Sequence, residues 1–174
     1  IYNYLENIWY FGTLARTAWL DSGLRDSPLA ATYSYNLVDH EDGVDDNQGG
    51  SAAAITAYAV SSEFDLDDGH KYMFVSRVIP DISFDGSTAD NPVATLTLSP
   101  LANPGAGYNS PTSTGGVNNA TVTRTATSPV EVFTEQLDIR VRGRQLSMRI
   151  ESAATGVAWQ LGTPRLDMRP DGRR

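Results

Sequence analysis

Leu137, Ile139 and Val141 stand at odd positions and Leu146, Met148 and Ile150 at even ones, with Gly143 between the two series. Side chains alternate faces along a strand, so a single continuous strand would turn half of these residues into water. The chain must therefore turn or bulge at Gly143. A two-residue hairpin centred on Gly143 and Arg144, glycine first as a type II′ turn requires, predicts Val141 opposite Leu146, Ile139 opposite Met148 and Leu137 opposite Ile150. It also sets Asp138 across from Arg149 and places Arg140 and Arg142 beside Ser147 and Gln145, so that cross-strand charges attract. A glycine bulge is the alternative.

The same short-period patterning runs through the rest of the chain. Runs of Thr, Val, Tyr and Ile are separated by Gly, Pro, Asn and Asp clusters, and no long stretch holds a helical period. The reading is all-β, with strands predicted over residues 4–11, 14–19, 30–35, 36–40, 55–64, 72–79, 93–99, 120–126, 132–142, 144–152, 157–161 and 165–168. Over 93–99, Ala94, Leu96 and Leu98 share one face and Thr95 and Thr97 the other, the pattern of a half-solvated sheet strand.

A composition shift and turn residues coincide over 41–51, which marks the best domain boundary. Residues 1–50 hold about four short strands, the size of one β-propeller blade. A lone blade cannot cover its own faces, so it calls for further chain or a partner. Residues 51–174 hold enough strands for an antiparallel β-sandwich or platform region. Residues 101–119 form a long Gly/Pro/Ser/Thr/Asn loop with Tyr108 as a contact candidate, and loops of that length are usually functional or mobile. The expected architecture is the end of a β-propeller, its last blade, followed by the sandwich.

The chain has 174 residues and begins at Ile1, with patterned sequence from the start, so it is read as the C-terminal part of a longer polypeptide. There is no cysteine, which excludes a disulfide framework and thiolate metal sites. No apolar run approaches the roughly 18 residues of a membrane span, and membrane insertion is not expected. The net charge of −8 is unevenly spread: up to Pro92 there are 4 basic and 15 acidic residues, and from Val93 onward 9 basic and 6 acidic. Affinity for phosphate backbones is built from Lys and Arg, so the acidic half disfavours ordinary nucleic-acid binding.

Enzymatic chemistry finds little support. His40 lies in VDHEDG and His70 in DDGHKY, both beside glycine at strand ends or turns, and a structural role outweighs general acid–base work or metal binding. No nucleophile elbow, P-loop, dinucleotide fingerprint or HExxH occurs. Asp81, Ser83 and Asp85 before Gly86 space oxygen ligands as a calcium loop does, but the twelfth position is Pro92 in place of the bidentate Glu. Carboxylates are too abundant for any glycosidase pair to stand out. No catalytic residue, metal ligand or cofactor is assigned. Trp9, Tyr10, Phe11 and Trp19 are read first as core or subunit packing and second as a sugar-stacking platform; Trp159 is read as core.

Between Asp138 and the end there are 8 arginines, no lysine and 4 acidic residues. Arginine forks bind carboxylates bidentately and resist desolvation better than lysine. Arg140, Arg142, Arg144, Arg149, Arg165 and Arg169 are therefore candidates for ion pairs within the chain or between subunits. Their expected partners are the acidic first half, with Asp39, Glu41, Asp42, Asp45, Asp46, Asp65, Asp67 and Asp68 as interface or channel candidates. Direct DNA binding is less favoured, because Trp159 is the segment's lone interleaved aromatic.

The run RVRGRQLSMRIES followed by WQLGTPRLDMRPDGRR resembles the C-terminus of the tail nozzle proteins (tail tubular protein B, or hub) of short-tailed bacteriophages. WYFGTLARTAWLDSG at 9–23, HEDG at 40–43 and FDLDDGHKYMFVSRVIPDISF at 64–84 are similar to stretches of the same family, so the resemblance spans nearly the whole chain. It implies a non-enzymatic virion protein, assembled in the host cytoplasm. Such a protein forms a homo-oligomeric ring, a hexamer by resemblance, below the portal and adaptor and beside other tail proteins. Viral DNA would pass through without sequence-specific binding. The alternative class is a carbohydrate- or receptor-binding β-sandwich of a tail fibre or adhesin.

Overall fold

The computed structural model describes residues 2–5, 7–9, 12, 14–21, 23–101 and 125–172. The described structure is all-β, with one short 3-10 turn at Asp67–Gly69. The chain separates into two compact units, Ile1–Gly43 and Val44–Arg174. The division falls within the acidic, glycine-rich stretch.

The first unit contains an antiparallel pair, β1 (Tyr2–Asn3) with β2 (Ile8–Trp9), and a separate three-stranded meander. The meander runs β3 (Arg16–Leu20), β4 (Leu29–Thr32), β5 (Leu37–Asp39) in that spatial order. A register shift between Arg16 and Ala18 bends β3. Among the described residues these are five short strands in two sheets, where the sequence pattern suggested about four; Tyr4, Leu5 and Asn7 are turn residues between β1 and β2, inside the strand predicted over 4–11.

The second unit is built on two larger sheets. One comprises β6 (Ala57–Val60), β7 (Phe64–Asp65), β10 (Val93–Leu101), β11 (Ala126–Glu131) and β13 (Gln145–Ser152). Its order is β11-β10-β13-β6, with β7 pairing β13 as well. The other has the order β12-β8-β15, from β8 (Met73–Ile79), β12 (Leu137–Gly143) and β15 (Arg165–Pro170). A two-residue pair joins β9 (Ile82–Ser83) to β14 (Gln160–Leu161). Inward residues of both large sheets line one core: Met73, Val75 and Val78 from β8, Leu96 and Leu98 from β10, Ile139 and Val141 from β12, Leu146 and Ile150 from β13. Trp159, half-buried, packs against that core and donates its Nε1–H to Ser152 Oγ at 3.0 Å.

The hairpin expected at Gly143 does not form. β12 pairs with β8, whereas β13 pairs with β10 and β6, so the chain changes sheets at this point. Gly143 stands opposite Met73 in one sheet, and Gln145, two residues on, stands opposite Leu101 in the other. The Arg144 N–H donates to the Leu101 carbonyl at 2.9 Å and fixes the corner. A Cβ on Gly143 would lie 2.8 Å from the Gln145 carbonyl oxygen and 2.9 Å from the Pro100 side chain, so glycine is required by close approach. The switch from odd to even apolar positions thus serves a change of sheet: both series reach the same core, one from each sheet. Asp138 consequently faces Arg77, and Arg149 faces Thr97 and Val60.

In the second unit two strands lie beyond the sequence pattern, as β1 does in the first. β11 contains Pro129, which suits it to the sheet edge it occupies. β9 is two residues long. The predicted start of β12 at 132 is taken by a turn in which Thr134 caps Glu131, its hydroxyl accepting the Glu131 N–H at 2.9 Å. The long loop with Tyr108, from residue 102 on, and residues 120–124 of the neighbouring predicted strand lie outside the described residues.

Candidate functional site

The arginine-rich strands converge on one residue that the sequence pattern did not single out, Tyr72. The guanidinium of Arg142 lies 4.2 Å from the Tyr72 ring centroid and that of Arg144 lies 4.9 Å from it. Arg142 Nε also donates to the Asp171 carboxylate, and its NH2 donates to the Asp171 carbonyl at 3.0 Å. Backbone bonds complete the tie: Tyr72 N–H to Gly172 O at 2.8 Å and Asp171 N–H to Tyr72 O at 2.7 Å. Arg144 NH1 donates to the carbonyls of Gly69 and His70, at 3.2 and 3.3 Å. Each cation on the aromatic face is worth about 0.5–1 kcal/mol at an exposed site, and more when desolvated.

The loop that Arg144 holds has an unusual backbone. Asp67, Asp68 and Gly69 have φ of 53°, 57° and 71°, three successive residues in the left-handed region. Aspartate tolerates this conformation better than most residues, which accounts for the DDG triplet. Lys71 Nζ donates to Asp67 Oδ2 at 2.8 Å; this hydrogen bond, with the lysine's charge, holds the Asp67 carboxyl below the usual carboxylate range.

The other predicted arginines are dispersed. Arg149 donates from Nε to Glu151 Oε2 at 2.8 Å and lies 4.2 Å from the Tyr58 ring centroid. Arg169 lies 4.9 Å from the Phe74 ring centroid. Arg140 and Arg165 are exposed, and their side chains form no hydrogen bond or ion pair among the described residues.

The acidic candidates divide between the two units, Asp39, Glu41 and Asp42 in the first and the others in the second. Asp39 pairs with Arg25 at 2.8 Å. Glu41, at φ 62°, and Asp42 are exposed turn residues. Asp45 accepts the Gly156 N–H with both carboxylate oxygens, at 2.7 and 2.9 Å, and Asp46 accepts the Gln48 N–H at 2.9 Å. Asp65 accepts from Gln145 Nε2 at 3.0 Å, and Asp68 is exposed.

Within one copy, the described ion pairs of Arg142 and Arg149 are made with carboxylates outside this set. The carboxylates on Arg142 and Arg149 belong to Asp171 and Glu151, both in the second half, and Arg144 reaches the first half through carbonyl oxygens. Strand neighbours supply the nearest acceptors: Glu151 is two residues along the same face from Arg149, and Asp171 follows β15, which shares β8 as a neighbour with β12.

Chemistry at the remaining candidates is likewise occupied. Arg16 Nε donates to His40 Nε2 at 2.8 Å, so that nitrogen's lone pair is engaged, and the Trp19 ring lies 4.6 Å from the imidazole, centroid to centroid. Asp81 accepts the Thr163 N–H at 2.6 Å, and its carbonyl accepts the Gly162 N–H at 2.8 Å, which makes it a loop anchor. No group of three or more His, Cys, Asp or Glu side chains suited to a metal occurs among the described residues. Trp9 and Trp19 are 75% and 50% exposed in the single chain, which departs from a place in its core, one of the two packing roles expected for them; Trp9 stacks at a tilt on Tyr2 at 4.7 Å. Tyr10 and Phe11 lie outside the described residues. The chain matches no family model and no curated protein.

Proposed function

We propose that this chain is part of a non-enzymatic assembly protein, a tail nozzle component of a short-tailed bacteriophage. On this reading copies form a ring below the portal and adaptor that retains and conducts viral DNA. The observation that carries the assembly reading is the surface of Ile1–Gly43, where Trp9, Trp19, Leu20, Leu24 and Leu37 are all half or more exposed. A unit of this size with one buried hydrophobic side chain among its described residues needs an outside surface to stabilise it. The sequence resemblance then supplies the kind of assembly.

The finer architecture belongs to this reading. The meander β3–β5 is taken as part of a propeller blade, and the five- and three-stranded sheets as the two layers of a β-sandwich. Conduction is geometric and electrostatic: the net charge of −8 disfavours adhesion to DNA phosphates, so that transit does not stall on tight contacts. Head-to-tail contacts close a ring if the rotation closes, and acidic and arginine-bearing surfaces on one chain suit them.

The test is the mass and shape of the protein expressed from its full reading frame, by light scattering and electron microscopy. A ring of fixed stoichiometry, or density at a virion tail tip, is the expected result, and a stable monomer overturns the reading. Arg140→Glu sharpens it, because the Arg140 side chain makes no hydrogen bond or ion pair among the described residues: assembly should weaken while the melting temperature stays put. The exposed Trp9 and Trp19 favour one second reading, a glycan- or receptor-binding surface. Quenching of tryptophan fluorescence by host glycans, lost in Trp19→Ala, would establish it.

A further inference from the structure

Among the described residues, strand β6 lies at the end of its sheet, hydrogen-bonded to β13 on one side. Ser61 N–H donates to the Met148 carbonyl at 2.8 Å. The alternation of an antiparallel ladder then directs the backbone groups of Ala57 and Ala59 to β13 and those of Tyr58 and Val60 to the open side. All four β6 residues are exposed, Tyr58 at 57% and Val60 at 50%. Ala57 and Ala59 share their side of the sheet with Ile150, which is buried, yet remain uncovered themselves.

Exposed edges with free backbone groups are templates for further strands, and proteins guard them with charge, proline or irregularity. The other edges of the two large sheets carry such guards. β11 has Pro129 and Glu131; β12 has Asp138, Arg140 and Arg142; β15 has Arg165, Asp167, Arg169 and Pro170. β6 has none. It sits in a run without a charged residue from Asn47 to Ser62, NQGGSAAAITAYAVSS, in a chain of net charge −8.

We infer that β6 is a strand-addition edge, completed in the assembled protein by an extended, uncharged strand from a second copy of this chain. The charge distribution selects that occupant. Two copies of net charge −8 repel except where neutral surfaces meet, and the charge that lies on the Tyr58 ring, Arg149 of β13, is already paired with Glu151. The chain itself carries a matching strand: the Thr17–Leu20 portion of β3 is uncharged, has every residue exposed, with Trp19 and Leu20 about half so, and lies at the edge of its own sheet among the described residues. Pairing β3 of one copy with β6 of the next is a head-to-tail contact. The inference concerns contact between copies and does not depend on the phage reading.

Sedimentation velocity over a concentration series, with hydrogen exchange in parallel, tests it. The expected result is self-association, with the amides of Tyr58 and Val60 protected only in the associated species. Val60→Lys should raise the dissociation constant about tenfold or more, a change of about 1.4 kcal/mol, while the circular dichroism is unchanged. A chain that stays monomeric, or one that associates with those two amides unprotected, overturns the inference. If Val60→Lys does not fold, the exchange result on the unsubstituted chain decides alone. A ring that forms without protection at β6 would sink this edge and leave the nozzle reading standing.

Discussion

Ile1–Gly43 and Val44–Arg174 are made of similar short, alternating strands, yet they bury their apolar residues very differently. Among the described residues the first unit has one buried hydrophobic side chain, Ala30, beside eleven exposed large ones; the second has fourteen buried. β10 shows what separates them. Its Ala94, Leu96 and Leu98 are fully buried because residues of β8 and β12, from the other large sheet, line the same core. On β3, Trp19 and Leu20 are half exposed. Alternation makes a strand amphipathic, but only a second layer converts that face into stability.

Core truncation should expose this contrast most strongly. Leu96→Ala or Leu146→Ala is expected to cost about 2–5 kcal/mol in urea unfolding, since each side chain is fully buried. Leu24→Ala, at a residue 97% exposed, should stay within about 0.5 kcal/mol in the isolated chain. A large loss at Leu24 that appears only in the assembled protein would locate a covered face in the first unit.

Glycine substitutions give the next effect. At Gly156, φ is 73° and a Cβ would lie 2.8 Å from the Ala89 nitrogen, so Gly156→Ala should lose about 1–3 kcal/mol. Gly23 has nothing within 4 Å of its would-be Cβ, and Gly23→Ala should be nearly neutral. Equal shifts in melting temperature would contradict this account of the Gly156 loop.

A smaller loss, about 1 kcal/mol, is expected from Arg142→Ala, which removes a cation over Tyr72 and a partly exposed ion pair with Asp171. Faster hydrogen exchange at Tyr72 and Asp171 would report loosening of the C-terminal tie. Lysine should restore it only in part, because it lacks the planar fork.

The smallest effect is that of pH at Asp67. Its folded pKa is depressed by Lys71, so its contribution is complete above the unfolded carboxylate pKa and disappears as pH falls through the lower folded value. An NMR titration should find the Asp67 carboxyl below the usual range and Lys71→Met should return it toward that range; an unchanged midpoint in the variant would remove Lys71 as the cause.

Much of the fold was legible because strand period is local. The all-β class, the faces of β10 and the inward positions of β12 and β13 all follow from residues two apart. The partners did not follow. Leu137, Ile139 and Val141 fit a hairpin with Leu146, Met148 and Ile150 as well as they fit a change of sheet, because either arrangement buries them. The candidate site was legible only in its arginines. Tyr72 and Asp171, which Arg142 brings together, are 99 residues apart in sequence and belong to no motif that marks them as neighbours. Asp45 and Gly156 are another such pair, with no spacing signal to join them.

Composition, charge asymmetry and the alternation of apolar residues were set by the sequence alone, since each is a property of near neighbours or of sums. Which strand lies beside which, which arginine meets which carboxylate and which edge stays open were decided only by the tertiary structure. The reason is that ladder hydrogen bonds join backbone groups common to every residue. Pairing is therefore selected by how the whole chain shares one core, and no short segment carries that information.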